Sequence, residues 1–291
     1  MTDVARDLAG DVERLAPSDP RPRLSRLYRM LAERDLCDLG SIVLLAAITI
    51  LVLATFRSYA ITNDEWIQHR YGELIVAYYR SGFADRSLFD LYNLYLYGGL
   101  FDTAAVLLSH VVPMDVFDLR HLLSAAFGLG GLGAVLATAR LIAGPRAGLL
   151  AGVALAVCGS WYGTMFHHTK DVPLAAAMAG AVYFLARAAR DLPRPQLRHV
   201  IGFGVLTGMA LGVKVLALLV VCYVPVAIML NMPPRCYRAS REAASFVGAS
   251  LLRFVPALLI AYAIMIVTWP WSVLAPLNPI RGLISFGDFG Y

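Results

Sequence analysis

An all-α polytopic membrane protein, with about seven spans and further helices lying at its outer face, is the fold class that this chain predicts. Three observations predict it. Of 291 residues, 59% are hydrophobic and only 15% are charged, against about 25% charged in soluble domains. The apolar residues fall in runs of roughly 20, the length that crosses a hydrocarbon core, not in the ~10-residue alternating segments of an outer-membrane barrel. The basic residues fall between the runs, where they orient a chain in the bilayer. A soluble enzyme, a disordered chain and a secreted disulfide scaffold are excluded on the same grounds. The net charge of +5 is spread over loops, so it argues for topology and not for nucleic acid.

Residues 1–39 form a polar tail with seven arginines, and 40–60 is almost wholly apolar. A cleaved leader would have a shorter head and a shorter apolar stretch, so this reads as a signal anchor with the tail in the cytoplasm. Further spans are predicted at 118–139, 146–166, 172–190, 199–213, 215–231 and 250–269. The run 199–231 is too long for one crossing, and Gly212-Val213-Lys214 is the natural turn. The segment 91–112 is long enough to cross but is interrupted by Asn93, Gly98, Gly99, Asp102 and His110. If it does not cross, the arginines of loops 140–146, 187–198 and 235–241 join those of the tail, sixteen in all, on one side. That obeys the positive-inside rule. The segment 91–112 is therefore placed at the outer face as an interfacial or re-entrant helix pair within the first outer loop, 61–117. The N-terminus is in, the C-terminus is out, and 40–291 is one transmembrane module. Cys37, Cys158, Cys222 and Cys236 show no metal-type pairing, and none lies in the long outer loop.

This topology gathers a few chemical groups outside. Asp64 and Glu65 open an amphipathic helix in which Ile67, Tyr71, Leu74, Ile75 and Tyr78 recur at helical spacing. They read in two compatible ways: Thr62 with Glu65 forms a capping box, and a carboxylate just beyond the first span serves as a general base at headgroup depth. His167-His168-Thr169-Lys170-Asp171 joins two spans. Two adjacent histidines diverge and specify no third ligand, so no metal is expected. Lys170 and Lys214 are the only lysines of the chain. Each is either a phosphate contact or a side chain snorkelling to the interface. Arg120, at the start of the second span, invites the same two readings, and Asp171 reads as a helix cap. Gly128, Gly130, Gly131 and Gly133 lie mid-span with no preceding strand, which suits close helix packing and not a dinucleotide site. No Walker-type Gly-Lys-Ser/Thr motif is present.

The ordered series Asn63-Asp64-Glu65, Tyr71-Gly72-Glu73, Leu94-Tyr95-Leu96-Tyr97-Gly98-Gly99-Leu100-Phe101-Asp102, Leu119-Arg120-His121 and Lys170-Asp171-Val172-Pro173 resembles the dolichyl-phosphate-mannose–protein mannosyltransferase-like family. This is glycosyltransferase family 39, whose relatives include the aminoarabinose transferases acting on lipid A. The similarity runs over roughly 40–282. It implies a GT-C-like helical bundle in an integral membrane protein, the plasma membrane if the source is bacterial. It also implies a polyprenyl- or dolichyl-phosphate sugar donor. Carried over, Asp64 is the base and Glu65 its neighbour in the site. Arg120 is the arginine opening the second span, and Asp171 the acid of the second outer loop. Lys170 and Lys214 are added here as phosphate contacts. The resemblance implies transfer of the sugar to an acceptor hydroxyl of a protein, lipid or glycan at the non-cytoplasmic face, with inversion and without a separate cofactor. A groove between helix 64–80 and the span ends would admit the lipid tail. Family members usually continue with more spans, so the chain is expected to be an N-terminal module, a truncated inactive transferase, or a half completed by a partner chain. A transporter or lipid-binding subunit is the alternative of another class, since charges within broken helices also fit a substrate pathway.

Overall fold

The computed structural model describes residues 35–287, and the Arg-rich tail and the last four residues lie outside them. The described residues form helices: α1 (Leu36–Thr55), α2 (Asn63–Arg80), α3 (Leu100–Ser109), α4 (Val116–Ala156), α5 (Gly159–Thr164), α6 (Asp171–Ala189), α7 (Leu197–Leu211), α8 (Leu218–Leu230), α9 (Ser240–Thr268), α10 (Pro270–Leu274) and α11 (Asn278–Gly287). Short 3₁₀ turns include Leu94–Leu96, Val215–Ala217 and Pro234–Tyr237. Among the described residues, four helical stretches are long and apolar enough to cross a membrane: Leu36–Ser58, Val116–Ala156, Asp171–Ala189 and Ser240–Thr268. Leu100–Ser109, Leu197–Leu211 and Val215–Leu230 are apolar but shorter.

α4 is two helices fused across a sharp bend. Gly144 takes φ +86°, a conformation that favours glycine, and Pro145 follows it at the start of the second arm. The arms fold back on each other. Gly148 lies against Arg140, Gly152 against Leu136, and farther along Trp161 meets Gly131 and Met165 meets Gly128. The spans predicted at 118–139 and 146–166 thus lie antiparallel, the second broken at Val157–Cys158 before α5. Two of the four mid-span glycines, Gly128 and Gly131, make the close packing that the sequence predicts. Gly130 and Gly133 instead line an apolar cavity of about 560 Å³ between α4, α6 and α7.

The remaining packing orders the two ends of the bundle. Asp38 on α1 bonds Arg140 Nη2 at 2.7 Å, while Arg57 lies 3.4 Å from Asp118 at the other end. Gly180 meets Leu206 and Gly202 meets Phe184, so α6 and α7 are antiparallel. Gly204 meets Ala257 and Gly208 meets Ala261, so α7 and α9 are parallel. Arg190 Nη2 donates to the Leu141 carbonyl, which brings the turn after α6 to the bend of α4. One end therefore carries the arginine-rich turns. The opposite end carries α2, α3, the loop 167–171 and the break at 212–214.

At that second end the backbone is stitched together. α7 stops at Leu211, and Lys214 is extended before the next turn. Gly98 N donates to Val213 O at 3.0 Å, Leu100 N to Gly212 O at 3.0 Å, and Gly99 N to Thr268 O at 2.9 Å. Trp269 Nε1 bonds Tyr95 O at 2.8 Å, and Tyr79 hydroxyl bonds Val267 O at 2.7 Å. α3, ten residues or ~15 Å long, is too short to cross a bilayer. It lies against α2, where a Cβ on Gly72 would sit 2.6 Å from Asp102 O. A Cβ on Gly98 would collide with the Gly212 carbonyl, which is backbone and cannot swing aside. Gly98→Ala is therefore expected to destabilise the bundle by about 1–3 kcal/mol, as overpacking does. Gly130→Ala, which meets nothing within 4 Å, should be close to neutral. Thermal unfolding of both variants in detergent checks the pair.

Candidate active site

The stitched segment delivers Tyr97 to the end of α7, and a polar cavity of about 260 Å³ opens there. Asp64 and Gln68 of α2 form one wall and Tyr97 another. The loop 167–171 and Lys214 close the rest. The two lysines lean over one ring: Lys170 Nζ is 4.3 Å and Lys214 Nζ 5.8 Å from the Tyr97 centroid. A negative ring face attracts both cations and holds them beside the same space. Lys214 also bonds Asp171. Burial holds the Lys170 ammonium below the usual lysine value, and Lys214 adds to this, against the opposing pull of Asp102. A buried cation whose charged form is disfavoured gains most from an incoming anion.

Behind the cavity lies a second, buried layer. Asp64 is exposed whereas Glu65, one residue on and therefore on another helix face, is fully buried. Glu65 Oε2 accepts from Thr62 N at 2.8 Å, and His121 Nε2 stands 3.0 Å from Oε1 at ion-pair distance. Burial by itself would raise the Glu65 carboxyl, but His121 and the Thr62 N–H bring it below its ordinary value. Asp102 and Arg120 form an ion pair at 2.8 Å with both side chains buried. The guanidinium lies 5.2 Å from the Phe101 ring centre and reaches Thr169 Oγ1 at 3.5 Å. Thr169 in turn donates to Gln68 Oε1. Thr169 and Gln68 thus belong to the buried layer and to the cavity wall at once.

Of the residues singled out from the sequence, Asp64, Lys170, Asp171 and Lys214 come together around the cavity. Glu65 and Arg120 do not line it; they brace α2 and the loop 167–171 from behind. Tyr97, Gln68, Thr169 and His121 were not singled out. Tyr97 carried one signal, its place directly before Gly98-Gly99. Along α2 lies a trough of about 780 Å³, walled on its other side by α3 and by Val116 at the start of α4. It is lined by His69, Arg70, Glu73, Arg80 and His110 together with Val76, Ala77, Val106 and Val116, so its wall is part charged and part apolar. A smaller apolar annex of about 240 Å³, lined by Val215, Leu216 and Leu283, shares Tyr97 and Lys214 with the polar cavity. Among the described residues no three His, Cys, Asp or Glu side chains converge as metal ligands.

A family model described as dolichyl-phosphate-mannose-protein mannosyltransferase matches residues 108–271, more than half of the chain. The match takes in Arg120, Lys170, Asp171 and Lys214 and stops short of Asp64 and Glu65. Comparisons with curated proteins and with solved structures return no match.

Removing one member of the Asp102–Arg120 pair leaves an uncompensated buried charge, and Asp102→Leu alone should cost about 3–5 kcal/mol. Asp102→Leu combined with Arg120→Met should recover most of that loss. A double-mutant cycle on the unfolding of the purified protein measures the coupling.

Proposed function

The chain belongs to the dolichyl-phosphate-mannose-protein mannosyltransferase family, and from that premise we propose that it transfers a sugar from a polyprenyl- or dolichyl-phosphate donor to an acceptor hydroxyl. The observation that carries this reading is the convergence of an exposed carboxylate, Asp64, with two lysines on one tyrosine ring in a single cavity. Lys170 and Lys214 take the phosphate of the donor. Asp64 accepts the proton of the acceptor hydroxyl, whose oxygen attacks the anomeric carbon. The bond from that carbon to the phosphate oxygen breaks, the lipid phosphate leaves, and the configuration inverts. The lysines hold the leaving group as its charge grows. Asp171 restrains Lys214, Glu65 fixes the start of α2, and Arg120 keeps Thr169 and Gln68 in place. The apolar annex beside Tyr97 receives the first units of the lipid tail, and the charged trough along α2 leads the acceptor in.

The cavity faces the non-cytoplasmic side in this reading, because the arginine-rich turns occupy the other end and such residues stay in the cytoplasm. Seven crossings fit this orientation. They comprise α1, the two arms of α4 with α5 extending the second, α6, α7, the segment 215–230 and α9. The N-terminus is then in and the C-terminus out.

Asp64→Asn keeps the shape and removes the base. Transfer from radiolabelled polyprenyl-phosphate sugars into membrane extract is expected to fall by about 10²–10⁴-fold, with expression and melting temperature unchanged because Asp64 is exposed. Undiminished transfer by the Asn variant would remove Asp64 from the mechanism.

Donor binding should also depend on pH in a fixed direction. A bound phosphate favours the charged amine and so raises the Lys170 pKa from its lowered value in the free protein. Affinity is then full below that free-state value and declines as pH rises through it, earlier than an ordinary lysine near 10.5 would allow. Lys170→Arg, whose guanidinium stays charged, should flatten the decline. Binding titrations of polyprenyl phosphate across the alkaline range read both curves.

A further inference from the structure

We propose that a hollow at the arginine-rich end binds the phosphate headgroup of an anionic phospholipid. It is remote from the cavity above and stands independently of the transferase reading. The hollow measures about 580 Å³. Three separate parts of the chain supply its walls. The turn between α6 and α7 gives Arg194, the turn Pro234–Tyr237 gives Arg235, and α9 gives Glu242, Ser245, Ala249 and Arg253. On α9 the last three are spaced four apart and so form one stripe. Ser245 and Ala249 are small, and they leave the concave space that Arg194 and Arg253 border.

The charges do not balance. Three guanidinium groups face one carboxylate, and Glu242 stands 3.9 Å from Arg235. Arg194 and Arg253 have no ion-pair partner among the described residues. Orientation of the chain in the bilayer does not require this, since arginines in the turns suffice. Arg253 is no turn residue. It sits thirteen residues into α9 and four residues into the apolar run 250–269, and it is exposed, with exposed Leu252 before it and exposed Pro256 one turn on. A cation at the edge of an apolar run reaches to the headgroup layer, where an anion can meet it. A phosphodiester supplies the anion, and basic pockets between spanning helices are suited to it. A free phosphate has the same headgroup chemistry. Exposed Leu252 and Pro256 beside Arg253, on a helix apolar enough to cross a membrane, favour the lipid. A net-negative headgroup is required, since phosphatidylcholine carries its own cation.

Native mass spectrometry of the full chain in detergent, titrated with phosphatidylglycerol or phosphatidylcholine, tests the site. One phosphatidylglycerol per chain should be retained in preference to phosphatidylcholine. The double variant Arg194→Gln/Arg253→Gln should lower that affinity by roughly tenfold or more. Arg238→Gln/Arg241→Gln, at the same end but outside the hollow, should not. Ser245→Leu keeps every charge and fills the space, so it too should lose the lipid; melting temperatures without lipid confirm that each variant is folded. Equal retention of phosphatidylcholine, or an equal loss in the Arg238/Arg241 pair, would overturn the proposal. So would displacement of the lipid by inorganic phosphate, which would mark a site for a soluble anion.

Discussion

Three backbone hydrogen bonds carry the site end of this molecule. Gly98, Gly99 and Leu100 donate to Val213, Thr268 and Gly212, and in doing so join the start of α3 to the ends of two bundle helices. Each such bond is worth only about 1 kcal/mol net, but leaving a buried backbone group unpaired costs more. The approach is close enough that side chains are excluded at Gly98 and Gly212. Tyr97 directly precedes this junction, and its own carbonyl accepts from the Tyr71 hydroxyl at 3.2 Å. Its backbone is therefore held in place, and its ring stands beside both lysines, of which Lys214 is also bonded to Asp171.

The same region assigns different work to similar groups by depth. Asp64 and Glu65 are adjacent carboxylates. The helix turns one toward the cavity and the other into the packing between α2 and α4, where Thr62 and His121 meet it. Arg120 and Lys170 are cations separated by little more than Thr169. One is neutralised by Asp102 in the interior, and the other borders open space. A buried pair of that kind is weak support for stability and a strong constraint on geometry. It ties α3 to α4 and, through Thr169, to the loop that bears Lys170.

Much of this was legible in the sequence because charge is scarce there. In a chain with two lysines, both at predicted outer positions, the lysines stand out, as does an acidic pair directly after an apolar run. The break at Gly212–Lys214 was readable because 199–231 fits neither one span nor two. The glycine run 128–133 divided: two positions pack against aromatic or sulfur side chains, and two border empty apolar space, which spacing alone does not separate. α9 begins at Ser240, ten residues before the predicted span, because helix continues beyond the apolar run into a polar turn. Asp102 and Arg120 each drew notice singly. Their pairing depends on how α3 lies across α4, and no local pattern records that. Gln68, Thr169 and His121 are ordinary polar residues whose importance lies in what reaches them. The seven arginines of the tail lie outside the described residues.

The stitched junction also imposes an order of assembly. Gly99 waits for the carbonyl of Thr268, about 170 residues farther along the chain, and at ~5–20 residues per second that delay is on the order of 10–30 s of translation. Through that interval the nascent first loop has its glycine amides without their eventual acceptors and its tyrosine without its second lysine. The site end is thus completed only once α9 has been made, and α9 acts as the latch that closes it.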